Sequence, residues 1–410
     1  MTVLTDIGQL ATCPPDGPGA GRVDDAALAW DGGRVVWAGP RADLPAALAA
    51  APRQSAGGRL VTPGLVDSHT HLAFAGDRAD EFVERLRGTS YLEIARRGGG
   101  ILNTVRATRA ASDADLGREA GRRLAAMVRQ GVTTVEAKTG YGLTVHDEVR
   151  VLRLYREIAT RVPQRIVPTL LAAHAVPPEY ADDRAGYVRL VTDEMIPAVA
   201  AEGLARFVDV FVEDGAFTPD EARTVFAAAR AHGLGLTLHA DQLSDTGGAA
   251  LAAEVGAASA DHLECISDDG IEALAAAGVV AVSLPIATLV LGQEPLPARR
   301  MLDAGVRVAV ATDLNPGSAP SASLGLALWL ACTRQRMTPE EALVGATAHA
   351  ARALGLDGPG SLVPGAPADL AVWDAPTLDV WLSTWRAEPA LRTVIAGQTV
   401  WERGDARDCP

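Results

Sequence analysis

The sequence predicts an α/β protein: a (β/α)8 barrel of the TIM type, carrying a small β-sandwich domain built from both chain ends. Three observations predict it. Through the middle of the chain, eight short apolar, β-branched runs alternate with Ala/Leu/Arg-rich helical stretches. Those runs are nearly continuous in hydrophobicity, as strands of a parallel sheet covered on both faces must be. The two ends instead show short alternating runs with turn signals such as Asp31-Gly-Gly, the mark of half-buried antiparallel strands. A doubly wound open sheet is the competing arrangement. It would want a glycine-rich phosphate turn after an early strand. None is present, because Gly98-Gly99-Gly100 follows no such strand and reads as a flexible loop.

In chain order, residues 1–62 supply the N-terminal part of the small domain, including Arg34-Val-Val-Trp-Ala. Residues 63–360 form the barrel. Its strands are expected at Leu65–His69, Val132–Lys138, Ile166–His174, Phe207–Glu213, Leu236–His239, Ala258–His262, Val279–Leu284 and Val308–Asp313. Helices are expected at Asp115–Gln130, Asp147–Arg161, Pro219–His232, Gly247–Gly256, Asp268–Ala277 and Pro297–Ala304. Residues 361–410 return to the small domain through Ala368-Asp-Leu-Ala-Val-Trp-Asp and Thr393-Val-Ile-Ala-Gly-Gln-Thr-Val-Trp.

Composition excludes several classes. With 48% hydrophobic and 21% charged residues, the chain can bury a large core and is not disordered in bulk. A net charge of −14 repels phosphate backbones, so nucleic acid is not an expected partner. The uncharged stretch Ala273–Gly292 is long enough to cross a membrane. Gly278 and Pro285 interrupt it, so it reads as a helix end, a loop and a buried strand, and no membrane is expected. The N-terminus, Met-Thr-Val-Leu-Thr-Asp, has no basic region and no signal-peptide character. Cys13, Cys265, Cys332 and Cys409 are scattered without a C-x-x-C pair, which fits a cytoplasmic protein.

The histidines carry the chemistry. Of eight, five (His69, His71, His174, His239 and His262) fall at or just past the end of a predicted barrel strand, and so does Asp313. That rim is where barrel enzymes place their active sites. Alternate residues of a strand point the same way, so His69-Thr-His71 aims two imidazoles at one point. His239, after Leu236-Thr-Leu, is a third metal ligand, and Asp313 a fourth. An ionised carboxylate at the end of so apolar a strand needs a compensating charge, which a divalent ion supplies. Asp313 is then also placed to take a proton from water. His262 stands between His239 and Asp313 and is placed to polarise a carbonyl or hold the attacking water. A second metal would want a bridging lysine on the fourth strand. That strand ends in Val212-Glu213, and Lys138 ends the second strand instead, so one metal is expected. Three imidazoles and a carboxylate suit zinc or iron.

This constellation, entered through Val61-Thr-Pro-Gly-Leu-Val-Asp, resembles the amidohydrolase superfamily. Within it the chain is similar to the imidazolonepropionase family. The similarity is carried by Phe74-Ala-Gly-Asp-Arg78, Ser90-Tyr-Leu-Glu-Ile, Gly98-Gly-Gly-Ile-Leu and Thr104-Val-Arg-Ala-Thr-Arg. It continues through Glu136-Ala-Lys-Thr-Gly-Tyr-Gly-Leu143, Ala173-His-Ala-Val-Pro-Pro-Glu-Tyr180, His239-Ala-Asp-Gln242 and Thr312-Asp-Leu-Asn-Pro-Gly-Ser318. The resemblance implies hydrolysis of 4-imidazolone-5-propanoate to N-formimidoyl-L-glutamate in histidine degradation, with one zinc or iron ion per subunit. It also implies a homodimer.

The resemblance further implies that the substrate's carboxylate tail is clasped by Arg78, with Tyr141 and the weaker candidate Tyr91 as donors. His174 matches the family's ligand-contacting histidine. Asn315, Gly317 and Ser318 match its loop after strand eight, and Gln242 is placed to orient substrate or water. Some relatives carry Glu at the Gln242 position. Glutamine cannot exchange a proton, which disfavours the alternative, a cytosine- or guanine-deaminase-like enzyme. A non-catalytic binding protein on the same barrel is a further alternative, and it would have lost a metal ligand.

Overall fold

The computed structural model describes residues 1–387 and 389–404. In chain order its strands begin with β1 (Thr2–Ala11), β2 (Arg22–Asp31), β3 (Arg34–Pro40) and β4 (Arg53–Pro63). There follow β5 (Leu65–Asp67), β6 (Val132–Lys138), β7 (Arg165–Ala173), β8 (Phe207–Val212), β9 (Gly235–Ala240), β10 (Ser259–His262), β11 (Val280–Ser283) and β12 (Val308–Val310). The last are β13 (Leu370–Trp373), β14 (Ala390–Ile395) and β15 (Gln398–Glu402).

Strands β5 to β12 form an eight-stranded parallel sheet in sequence order, the barrel that the alternating pattern predicts. Strands from both chain ends form a separate seven-stranded sheet, β15-β14-β13-β4-β1-β2-β3. It is mixed, since β1 runs parallel to β4 and antiparallel to β2. The expected two-layered domain is this one sheet curled on itself. Val35 N–H donates to Ala366 O at 2.9 Å, Ala368 N–H to Gly33 O at 2.8 Å, and the Trp30 indole to Gly397 O at 3.2 Å. Leu28, Trp30, Leu370, Val372 and Val394 share the core inside the curl.

Local chemistry sets the helices. Helix Pro219–Ala231 starts on a reciprocal cap between Thr218 and Glu221, with proline where its missing N–H costs nothing. Helix Asp113–Val128 is capped by Ser112 and buries Leu116, Ala120, Leu124 and Met127 on one face. For residues 79–110 the sequence pattern predicts no helix or strand. They hold three short helices, Ala79–Leu86, Tyr91–Arg96 and Ile101–Ala110. The first leaves Phe82, Val83 and Leu86 exposed, so its apolar residues gave no inward-facing period. The uncharged stretch 273–292 divides into a helix end, β11 and the helix Pro285–Leu291. Among the described residues no helix is long and apolar enough to cross a membrane.

The seam between the first and last barrel strands positions the site. Asp313 N–H donates to His69 O at 3.0 Å, and His71 N–H to Leu314 O at 2.9 Å. Below them the fully buried Asp67 carboxylate accepts from Thr312 N–H at 3.0 Å and Thr312 Oγ1 at 2.7 Å. Burial pushes the Asp67 carboxyl up to about 7, against the pull of those two bonds. Replacing Asp67 with Ala strands a buried N–H and a buried hydroxyl. The expected loss is about 2–4 kcal/mol of stability, read as a lower midpoint of urea unfolding. An unchanged midpoint would show that the backbone bonds alone close the seam.

Candidate metal centre and substrate pocket

His69 and His71 follow β5, His239 lies on β9, His262 ends β10 and Asp313 follows β12. All five are buried at one end of the barrel. Ligand-capable atoms of His69, His71 and Asp313 lie within 4.8 Å of one another. So do those of His69, His239 and His262, and His69 belongs to both groups. Asp313 Oδ1 is 3.4 Å from His69 Nε2 and 3.4 Å from His71 Nε2. Backbone strain collects at this rim. His262 has φ of 78° and Asp313 of 55°, conformations that residues other than glycine seldom adopt.

Two carboxylates behind the histidines set their tautomers. Asp261 Oδ2 is 2.7 Å from His69 Nδ1, and Asp209 Oδ1 is 2.8 Å from His239 Nδ1. Each therefore accepts a hydrogen bond from the Nδ1 proton and turns Nε2 toward the centre, where its lone pair can bind a cation in place of a proton. The Nε2 atoms of His69 and His239 and Oδ1 of Asp313 have no hydrogen-bond partner although buried. Buried polar atoms without partners are costly, and a group of acceptors without a donor fits a divalent cation. Electrostatics agree. Burial and the Lys138 ammonium pull the His69 ring down, but the Asp261 and Asp313 carboxylates outweigh them and hold it at about 9. Burial would raise Asp313; His69 and His71 overcome it and hold Asp313 well below the usual carboxylate range. The point between these carboxylates thus demands positive charge.

Six of the eight residues expected at the substrate, Arg78, Tyr141, His174, Gln242, Asn315 and Ser318, line one pocket with His71, His239, His262 and Asp313. Arg78 is buried, and its Nε donates to Thr104 Oγ1 at 2.9 Å. The Tyr141 ring lies 5.6 Å from His71 and 5.4 Å from His174. His174 stacks on His71 at 5.1 Å, with Nδ1 3.0 Å from Gly140 O. Burial first, then the neighbouring His71 and His239, hold His174 well below the ordinary imidazole range, so it faces the pocket neutral. Gln242 and Ser318 complete the wall. Asn315 lines it too, but its amide also organises its own loop: Oδ1 accepts from Gly317 N–H and Ser318 N–H, both at 2.8 Å. Gly317 is absent from the wall. A Cβ there would come within 2.2 Å of Arg78 Nη1, so its role in the structure is to make room for the guanidinium. The side chain of Tyr91 and residue Cys409 lie outside the described residues.

Sequence reasoning missed the residues behind the ligands. Asp209 and Asp261 sit on strands already recognised, and two buried acids on apolar strands were the available signal. Glu148 was also missed. Its carboxylate accepts from the N–H groups of Gly140 (3.2 Å), Gly142 (2.9 Å) and Leu143 (2.7 Å), and so shapes the turn that carries Tyr141. The other three histidines, His146, His232 and His349, lie outside the pocket. His146 is exposed, and His349 Nδ1 is 3.1 Å from Val308 O, at the start of β12.

The model of the amidohydrolase family matches residues 60–400. The imidazolonepropionase of Paracoccus denitrificans (strain Pd 1222) is 52% identical over 372 residues, covering 90% of this chain and 93% of that protein. That of Anaeromyxobacter dehalogenans (strain 2CP-1) is 50% identical over 415 residues, covering 100% and 98%. Among solved structures, 5-methylcytosine deaminase from Klebsiella pneumoniae liganded with phosphonocytosine superimposes with a TM-score of 0.75 at 18% identity, covering all of both chains. Atrazine chlorohydrolase from Arthrobacter aurescens TC1 complexed with zinc gives 0.71 at 19% identity, covering 98% and 95%. These two share the fold, whereas the half-identical relatives place the chain within a narrower group. The chain belongs to the amidohydrolase family, among the imidazolonepropionases.

Proposed function

We infer that this chain hydrolyses 4-imidazolone-5-propanoate to N-formimidoyl-L-glutamate, a step of histidine degradation in the cytoplasm. One observation carries the reading: half-identity to imidazolonepropionases over nearly the whole chain, with Arg78, Tyr141, His174, Gln242, Asn315 and Ser318 lining one pocket. His69, His71, His239 and Asp313 would hold one zinc or iron ion. Such an ion supplies Lewis acidity toward a carbonyl oxygen and toward water.

The chain's own groups do the rest. Arg78 clasps the propanoate tail, with Tyr141 beside it, and this fixes the ring over the strand ends. His174 and Gln242 orient the ring, the neutral imidazole as a hydrogen-bond partner and the amide as donor and acceptor. Ser318, whose Oγ lies 3.4 Å from Asp313 Oδ2, steadies the carboxylate on the pocket side. Water adds to the ring carbonyl carbon as Asp313 accepts its proton. His262 stabilises the charge that develops on the carbonyl oxygen. Asp313 then returns the proton to the ring nitrogen, the C–N bond breaks, and the open-chain product carries a new carboxylate.

The deaminase reading makes a distinct product. Mixing the metal-replete protein with fresh 4-imidazolone-5-propanoate should give rapid loss of its ultraviolet absorbance and N-formimidoyl-L-glutamate as product. Ammonia release from cytosine or guanine, with the imidazolone untouched, would replace this reading with the deaminase one. Asp313→Asn should keep part of its metal and lose turnover by ~10²–10⁴-fold; turnover near that of the parent would remove Asp313 from the proton path. Arg78→Met should lower kcat/KM by about 1.5–3 kcal/mol, mostly through KM. A pure kcat loss would place Arg78 at the reacting bond instead of the tail.

A further inference from the structure

Lys138 ends β6 with its side chain 1% exposed, beneath the metal centre and outside the pocket wall. Its Nζ lies 2.7 Å from Asp209 Oδ2, 3.0 Å from Glu136 Oε1 and 3.4 Å from Asp261 Oδ2. Asp209 and Asp261 are the two carboxylates that grip His239 and His69 through Nδ1. Among the described residues, Lys138 is the cation paired with both, apart from those imidazoles themselves.

We propose that Lys138 is a positioning residue for the metal centre: its ammonium locks Asp209 and Asp261 in place, and through them aims His239 and His69. The barrel explains how one side chain reaches both. Inward residues of alternate strands share a layer. Lys138 on the second strand, Asp209 on the fourth and Asp261 on the sixth make a charged layer where such barrels usually pack Val, Ile or Leu. Two carboxylates this deep repel each other without a cation between them. Their remaining oxygens are already fixed. Asp209 Oδ2 accepts from Thr237 Oγ1 at 2.8 Å, and Asp261 Oδ1 from Ser259 Oγ at 2.7 Å. The ammonium completes both sets and leaves each carboxylate one settled direction toward its imidazole. A bound ion then meets nitrogen atoms already turned toward it, instead of having to order them as it binds.

The inference rests on the metal site of the proposed function and not on the substrate. The test compares the parent chain with Lys138→Met, Asp209→Asn and the double variant. Zinc affinity is read by competition with a chromophoric chelator, ligand geometry by the visible spectrum of the cobalt(II)-substituted protein, and folding by near-ultraviolet circular dichroism. K138M should keep the parent's dichroism, bind zinc ~10–100-fold more weakly and shift the cobalt bands. A folded K138M with zinc affinity within about twofold of the parent and unchanged cobalt bands would overturn the inference. Should K138M not fold, the double variant removes charge and counter-charge together. It should bind zinc several-fold more weakly than D209N alone, because the Asp261–His69 branch is also released; equal affinity would overturn the inference. A parent chain that takes up no zinc overturns both this inference and the metal site. Failure of the imidazolone assay with K138M still weakened overturns only the proposed reaction.

Discussion

Two carboxylate–imidazole hydrogen bonds, Asp261 to His69 and Asp209 to His239, are what the rest of the site depends on. An imidazole is a metal ligand only through a nitrogen without a proton, and which nitrogen that is depends on what the other one touches. Here both rings have Nδ1 on a buried acid, so both turn Nε2 toward the centre. Asp313 and His71 come to the same place by a different route, the backbone seam between β5 and β12. The centre is thus assembled by side chains from below and by main chain from the side.

This arrangement is expensive to bury. Glu136, Asp209, Asp261 and Asp313 are all nearly inaccessible, and Lys138 is the one ammonium among them in this layer. The barrel tolerates the charge because the layers around it are apolar and closely packed, with Val135, Ala137, Val208, Val210, Leu238 and Ala260 fully buried or nearly so. A dry wall strengthens each remaining electrostatic contact. The pocket inherits that property. Its arginine is buried, its His174 is neutral, and its carboxylate is held ionised by its neighbours.

Much of this was legible from the sequence because each barrel strand is locally decisive. Runs such as Val132–Lys138 and Val308–Asp313 are too apolar and β-branched to be surface helices, and each ends on a polar residue at the rim. That placement alone brought His69, His71, His239, His262 and Asp313 together. Residues within strands were harder. Asp209 and Asp261 look like ordinary interruptions of an apolar run until the strands are wrapped into a barrel, and Lys138 seemed only to be on the wrong strand for a bridging ligand. Gly317 and Asn315 show the same limit in a loop. Their motif was recognisable, but the division of labour is geometric: one makes room for Arg78, and the other ties its own turn. The short helices of 79–110 have too few turns to show a period, and the first of them buries none of its residues.

The central claim is that the partnerless nitrogens of His69 and His239, together with His71 and Asp313, mark a single cation position above Lys138. Crystals of the zinc-loaded protein, with anomalous diffraction collected on both sides of the zinc absorption edge, test it directly. The account predicts one strong anomalous peak per chain, bounded by His69 Nε2, His71 Nε2, His239 Nε2 and Asp313 Oδ1. A peak instead among Asp209, His239 and Asp261, where the Lys138 ammonium now sits, or no peak at the strand ends at all, would contradict it.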